Sequence, residues 1–150
     1  MWTDLILAIA HHLLIFALAA VIAVESVLIQ QELSAKTIGM LARIDRSYGV
    51  VAMLIIVIGI CRVLFGLKGW EFYFYNWAFW AKMAAFAAVG LLSIQPTIRF
   101  IAWNKALSAN SGFRVPDTEF ASVRRFMRAE VLFFLLIPVF AAIMARGIGY

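Results

Sequence analysis

The chain has 150 residues, of which 65% are hydrophobic and only 14% are charged, and its mean hydropathy is +0.97. A water-soluble domain of this length has too little interior to bury so much apolar surface, so the composition excludes an ordinary soluble fold. The net charge of +5 would suggest nucleic-acid binding in a soluble protein, but here the basic residues flank apolar stretches. We therefore expect a protein of the lipid bilayer that binds no nucleic acid.

Four apolar segments reach or approach the roughly 20 residues that cross the hydrocarbon core of a bilayer. They lie at residues 5–29, 50–65, 77–101 and 131–144. With their flanking turns, they predict helices near residues 4–30, 46–66, 76–103 and 118–146. Because the connections are short, consecutive helices become neighbours. The predicted fold class is all-α, a single domain over residues 1–150 that forms an integral membrane four-helix antiparallel bundle.

Basic residues are concentrated at one end of the predicted helices. Nine of the thirteen lie in or beside the first and third loops: Lys36, Arg43, Arg46, Arg99, Lys105, Arg114, Arg124, Arg125 and Arg128. Because basic loops stay in the cytoplasm, both termini of this multi-pass membrane protein are predicted to be non-cytoplasmic. A cleavable signal peptide is disfavoured, since the first segment lacks a preceding basic stretch and contains His11 and His12.

Four polar residues of the apolar segments are predicted to lie at one depth near the outer surface. They are His11 and His12 in the first helix, Arg62 in the second and Lys82 in the third. Any one of them could snorkel or hydrogen-bond within the bundle, but their coincidence favours a site. An imidazole can ligate haem iron, and Arg or Lys can pair with the propionates. We therefore expect haem b, with His11 or His12 on the iron and Arg62 and Lys82 at the propionates.

The sequence leaves the second axial ligand of the iron open. The alternatives are Met83 or Met144, a residue of another protomer, or no second ligand, because the chain contains only two histidines. A homo-oligomer is expected, with a dimer favoured. Zinc is disfavoured because no Asp, Glu or Cys accompanies the histidines at their depth.

A second polar group, drawn from all four predicted helices, lies near the cytoplasmic surface. Its members are Glu25, Arg43, Asp45, Arg46, Gln95, Arg99, Arg128 and Glu130. Because both signs of charge are present, mutual ion pairing is the expected state. Glu25 and Glu130 lie deep enough that an unpaired carboxylate would take up a proton. The alternative interpretation is therefore a path for protons or substrate.

Short motifs along the chain resemble an uncharacterised bacterial family of four-helix inner-membrane proteins. The motifs are GICRVLF at 59–65, FWAK at 79–82 and GLLSIQPT at 90–97, with Trp103. A histidine in the first helix and a lysine opening the third, in FWAKMAAF, also resemble HemJ-type protoporphyrinogen oxidases and CopD-like membrane domains. That resemblance implies haem b binding, with His11 or His12 as the helix-one histidine and Lys82 as the helix-three lysine.

The leading hypothesis is thus a haem b-binding membrane protein with a redox or electron-transfer role and an unknown redox partner. Whether it is an enzyme stays open, with a haem-dependent membrane oxidoreductase as the class considered. No nucleotide-binding loop supports a nucleotide enzyme. The alternatives are a small proton-coupled transporter subunit and a non-catalytic assembly or scaffold protein that docks on a larger complex.

Overall fold

The computed structural model describes residues 2–148, and the elements in this part of the chain are helices. They are α1 (Trp2–Leu28), α2 (Ala35–Phe65), α3 (Gly69–Phe74), α4 (Trp77–Ala109) and α5 (Asp117–Ala145). All except α3 are long and apolar enough to cross a membrane. Large apolar side chains are exposed along each of these four helices, which is typical of a surface that contacts lipid.

Helix α2 begins at Ala35, about three turns before the predicted start near residue 46. Its first turn is capped by Ser34, whose hydroxyl oxygen accepts a hydrogen bond from the Thr37 backbone N–H at 3.2 Å. Leu41, in the additional turns, is fully buried. The segment before residue 46 is therefore continuous helix, stabilised by a cap at its start and by burial of its apolar side.

The connection between α2 and α4 contains α3, a helix that the sequence did not predict. It begins at Gly69, whose φ of 74° is a conformation that glycine adopts without strain. Tyr73 of α3 is buried, and its ring packs against Phe79, with centroids 5.6 Å apart. Trp70, Phe74 and Tyr75 of this connection are exposed.

Helix α1 packs along α2, α2 against α4, and α4 most extensively against α5. The buried apolar residues form two clusters. The loop-side core contains Leu28, Ile29, Ile38, Leu41, Phe100, Trp103, Val123 and Met127. The central core contains Leu18, Ile22, Tyr48, Ile55, Ala85, Val89 and Ile137. On α1, α2 and α5, one acidic residue lies between the stretches that contribute to the two cores.

Candidate functional site

The structure brings His11, Arg62 and Lys82 together from three helices, and we call this group the basic cluster. His11 interacts electrostatically with both Arg62 and Lys82, and Arg62 also interacts with Lys82. Their shared level follows from helix geometry, because Arg62 lies in the last turn of α2 and Lys82 in the second turn of α4. The convergence predicted from sequence for these three residues is therefore present.

The two adjacent histidines have different surroundings. His11 is half-buried, and its Cε1 atom lies against Gly59 of α2. Its Nδ1 atom is buried and has no hydrogen-bond partner among residues 2–148. His12 is exposed, and its Nδ1 atom is 2.6 Å from the carbonyl oxygen of Ala8 in the same helix. Of the two histidines, His11 is the one that faces α2 and the basic cluster.

The charges of the basic cluster are not neutralised by nearby acids. Within residues 2–148 the salt bridge is between Arg99 and Glu119, away from this cluster. In the same range, the buried Nε atom of Arg62 has no hydrogen-bond partner. Asp4 is close by, but its carboxylate accepts a hydrogen bond from the Leu67 backbone N–H at 3.3 Å. The Lys82 ammonium lies 5.4 Å from the ring centroid of Phe79. A cluster of this kind suits an anionic ligand.

The two methionines proposed as second iron ligands are both half-buried. Met83 directly follows Lys82 in α4, and Met144 lies in the last turn of α5. Their roles as ligands stay predictions.

Glu25, Asp45 and Glu130 converge from α1, α2 and α5, and we call these three residues the acidic layer. They are only 4%, 7% and 3% exposed, respectively. Glu25 interacts electrostatically with both Asp45 and Glu130. One carboxylate oxygen of Glu25 and one of Glu130 are buried and accept no hydrogen bond from the residues that the structure describes. The acidic layer therefore places three carboxyl groups at one level between the two apolar cores.

Hydroxyl groups surround the acidic layer. The Thr97 hydroxyl donates a hydrogen bond of 2.7 Å to the Asp45 carboxylate. The Tyr48 hydroxyl interacts with the carboxyl group of Glu130 and with the hydroxyl of Ser93. These partners stabilise a buried carboxyl group by hydrogen bonding rather than by an opposite charge.

The ion pairing expected around the acidic layer is wrong for the part of the chain that the structure describes. Arg43, Arg46 and Arg128 are exposed, and none forms a salt bridge with the three acids. Arg99 instead binds Glu119 at 2.9 Å, further toward the loop-side core. The physical reason is that long basic side chains reach the interface, while short acidic ones at helix-packing positions cannot.

Gln95 also lies outside the acidic layer. Its Nε2 atom donates a long hydrogen bond of 3.4 Å to the Ser122 hydroxyl on α5, and its Oε1 atom is buried with no partner in the described range. Gln95 thus lies at the contact between α4 and α5.

About 21 Å separates the basic cluster from the acidic layer, since His11 and Glu25 are fourteen residues apart on α1. The corresponding interval on α2, from Arg62 to Asp45, gives about 25 Å. The central core fills the intervening space with apolar side chains. Chemistry at one level is therefore independent of chemistry at the other unless water or a cofactor spans that core.

Two open cavities lie on the sides of the bundle. The larger, of about 1010 Å³, follows the contact between α2 and α4 and reaches Asp45, Tyr48, Ser93 and Thr97. The smaller, of about 410 Å³, lies between α1 and α5. Neither of these two cavities is lined by a histidine.

Tyr48, Ser93 and Thr97 are site residues that the sequence reasoning missed. A signal for Tyr48 was present, because the spacing of Leu41, Asp45 and Tyr48 puts all three on one face of α2. Residues three or four positions from a buried acid share its helix face, so this spacing indicates which apolar and hydroxyl residues lie beside the acid.

The sequence matches a family model described as "Predicted membrane protein (DUF2214)" over residues 3–149. The chain therefore belongs to this family of predicted membrane proteins. Comparison with curated proteins and with solved structures finds no significant match.

Proposed function

We propose that the chain is a haem b-binding membrane protein with a redox role, in which His11 is an iron ligand and Arg62 and Lys82 bind the propionates. The observation that carries this proposal is the convergence of the three side chains from three helices. His11 of α1 and Lys82 of α4, which is the third spanning helix, also carry the resemblance to HemJ-type proteins. These two residues interact here.

The residues of the basic cluster suit the chemical groups of haem. A buried imidazole nitrogen without a partner is a costly arrangement, and coordination or a hydrogen bond would remove that cost. Arg62 and Lys82 provide positive charge for carboxylates, and a guanidinium can bind a carboxylate through two parallel hydrogen bonds. When bound, haem would supply one-electron transfer.

The proposal also includes an antiparallel arrangement of the helices, non-cytoplasmic termini and a homodimer. Contacts at both ends of the bundle support an antiparallel arrangement: Asp4 near the start of α1 binds the backbone just after α2, and Thr97 of α4 binds Asp45 of α2. The basic loops support non-cytoplasmic termini in a bacterial inner membrane. A homodimer would let a second protomer supply an axial ligand.

Absorption spectroscopy of the detergent-purified protein tests haem binding. The wild type should give a Soret band that strengthens and saturates when hemin is added. His11→Ala should reduce hemin affinity at least about tenfold, because it removes a coordinate bond. His12→Ala is the matched control, since it removes a neighbouring histidine that faces away from the cluster.

Arg62→Gln and Lys82→Gln should each weaken hemin binding less than His11→Ala and leave the spectrum of the bound form unchanged. A wild-type protein without a Soret band before or after hemin addition would overturn the proposal. Loss of the band in His12→Ala with retention in His11→Ala would instead overturn the assignment of His11.

A second candidate function is proton-coupled transport through the acidic layer. It is favoured by the burial of Glu25 and Glu130, which form no salt bridge within residues 2–148. An uncompensated buried carboxylate costs several kcal/mol unless it carries a proton. No group of three or more His, Cys, Asp or Glu side chains within residues 2–148 is arranged to hold a metal ion. The chemistry favoured for the layer is thus proton exchange rather than metal binding.

A proton-flux measurement in proteoliposomes, with a pH-sensitive dye inside and an imposed membrane potential, tests this candidate. Wild-type vesicles should acidify faster than protein-free vesicles, and Glu25→Gln or Glu130→Gln should remove most of the difference. Glu32→Gln changes an exposed acid outside the helices and is the control. Equal fluxes in wild-type, Glu25→Gln and Glu130→Gln vesicles would rule this candidate out.

A further inference from the structure

We propose that the groove between α2 and α4 is a binding site for one anionic phospholipid, with its phosphate at Arg46 and Lys105 and an acyl chain along the apolar wall. The proposal is independent of haem binding, because the groove lies away from the basic cluster. It rests on the shape of the groove, its charge, and the two glycines in its walls.

The groove has the dimensions of a lipid chain. Its cavity of about 1010 Å³ is lined mainly by aliphatic side chains of the two helices, among them Met53, Val57, Ile94 and Ile98. Its lining runs from Ala42 to Val57 along α2, about 22 Å, of which the stretch from Arg46 to Val57 accounts for about 16 Å. The hydrocarbon of one leaflet is about 15 Å thick, half of the 30 Å bilayer core. An acyl chain of a single leaflet therefore matches the part of the groove between Arg46 and Val57, and the remaining turn toward Ala42 leaves room for a headgroup.

The charge at one end of the groove determines the kind of lipid. Arg46 and Lys105 both line the groove, both are exposed, and neither forms a salt bridge with another residue of the described range 2–148. They lie at the end where the other basic residues of the chain are concentrated. Two cations that form no ion pair within the described part of the chain complement a phosphate attached to an acyl chain, and such basic sites favour anionic headgroups.

Asp45 also lines the groove and would repel a phosphate if its side chain faced the headgroup. Its side chain is instead only 7% exposed and accepts the 2.7 Å hydrogen bond from Thr97 across the helix contact. The Asp45 carboxylate therefore interacts with Thr97 inside the protein. Arg46 and Lys105 are the charged lining residues that remain available to a ligand.

Two glycines keep the groove open. Gly49 of α2 and Gly90 of α4 both line it, and a β-carbon built at either position meets no atom within 4 Å. A larger side chain at either position would therefore project into the groove without displacing protein atoms. This gives two independent variants that block the proposed site while leaving the helix contacts intact.

Native mass spectrometry of delipidated protein, with phosphatidylglycerol or phosphatidylcholine added back, tests the proposal. The wild type should retain one phosphatidylglycerol per chain, with a preference over phosphatidylcholine of about fivefold for each basic side chain. Arg46→Gln with Lys105→Gln should abolish the preference. Gly49→Leu and Gly90→Leu should each reduce retention of both lipids at least about tenfold.

The matched control is Lys36→Gln with Arg125→Gln, which removes two exposed cations of the same end that do not line the groove. This control should keep the wild-type preference. The proposal fails if the wild type does not distinguish the two lipids, or if the control loses the preference as fully as the groove variant. It also fails if both glycine variants, confirmed as folded by circular dichroism, retain lipid like the wild type.

Discussion

The His11 ring on α1 lies against Gly59 on α2, and a β-carbon at position 59 would stand 3.6 Å from the ring carbon Cε1. That distance is an ordinary van der Waals contact, so the ring fills the space beside a residue without a side chain. The contact places an imidazole at the α1–α2 interface, on the side of α2 that also carries Arg62. Gly59 therefore sets the position of the basic cluster relative to α2.

The effect of a substitution at Gly59 should depend on the size of the new side chain. Gly59→Ala should leave stability within about 1 kcal/mol of the wild type, because the new methyl group makes only ordinary contacts. Gly59→Leu should displace the His11 ring and lower hemin affinity at least about tenfold. Thermal unfolding in detergent and hemin titration measure the two effects.

Gly90→Leu is the control for this prediction, because its side chain would enter open space and not contact His11. If Gly59→Leu binds hemin as tightly as Gly90→Leu does, His11 is not held in a binding position by its contact with α2.

Glu119 accepts two hydrogen bonds, from Arg99 at 2.9 Å and from the indole Nε1 of Trp103 at 2.8 Å. The ion pair is partly exposed, at 41% and 29%, so it contributes only about 0–1 kcal/mol. Trp103 is 1% exposed, and an indole N–H left buried without an acceptor costs about 1–3 kcal/mol. Glu119→Ala should therefore destabilise the protein more than Arg99→Ala, as measured by unfolding in detergent.

Glu119→Gln separates the two contributions, since it removes the charge and keeps an oxygen that can accept the indole hydrogen bond. Its stability should lie close to that of Arg99→Ala. A larger loss of stability in Arg99→Ala than in Glu119→Ala would contradict this ranking.

The membrane spans could be predicted because hydropathy and length are local properties of the sequence. The convergence of His11, Arg62 and Lys82 could be predicted because depth follows from the count of residues from each helix end. The pairing of Arg99 with Glu119 rather than with the acidic layer could not, because it depends on which face of each helix turns inward. Apolar residues on all sides of a membrane helix hide that face.

The sequence positions of Glu25 and Glu130 indicate in part which face of each helix turns inward. Glu25 lies three residues after the buried Ile22, and Glu130 lies three residues after the buried Met127. These spacings place each acid on the inward face of its helix. The separation of the acids from the arginines could therefore be predicted once the inward faces are known, whereas α3 depends on aromatic packing among residues 70–80.

Asn76 caps the start of α4 while completely buried, with its Oδ1 atom accepting a 2.9 Å hydrogen bond from the Ala78 backbone N–H. Asn76→Ala should destabilise the protein by about 1–2 kcal/mol, because it removes the cap and leaves an unpaired N–H. Asn76→Ser should recover part of this loss, since its hydroxyl can accept the same bond. Ser34→Ala removes the more exposed cap of α2 and should cost less.

Thermal unfolding in detergent compares the three cap variants. Equal stability of Asn76→Ala and the wild type would show that the buried cap does not stabilise α4.

Tyr73 on α3, outside the spanning helices, gives a prediction for alkaline pH. Burial raises the pKa of its phenol above the ordinary value of 10.0, while the charge of Arg62 opposes this shift and that of Asp4 adds to it. A group whose pKa is raised in the folded state favours folding below its unfolded pKa, and this contribution is lost as pH rises through the folded pKa. Wild-type stability should therefore decline above about pH 10.

Tyr73→Phe keeps the ring packing against Phe79 but removes the ionisable hydroxyl. Its melting temperature should fall less than that of the wild type as the pH is raised above 10, and the two proteins should follow parallel curves below that pH. Tyr75→Phe removes a neighbouring exposed phenol and should retain the alkaline decline that belongs to Tyr73. If Tyr73→Phe declines as steeply as the wild type, the alkaline loss arises elsewhere, and burial of the Tyr73 phenol does not couple the fold of α3 to pH.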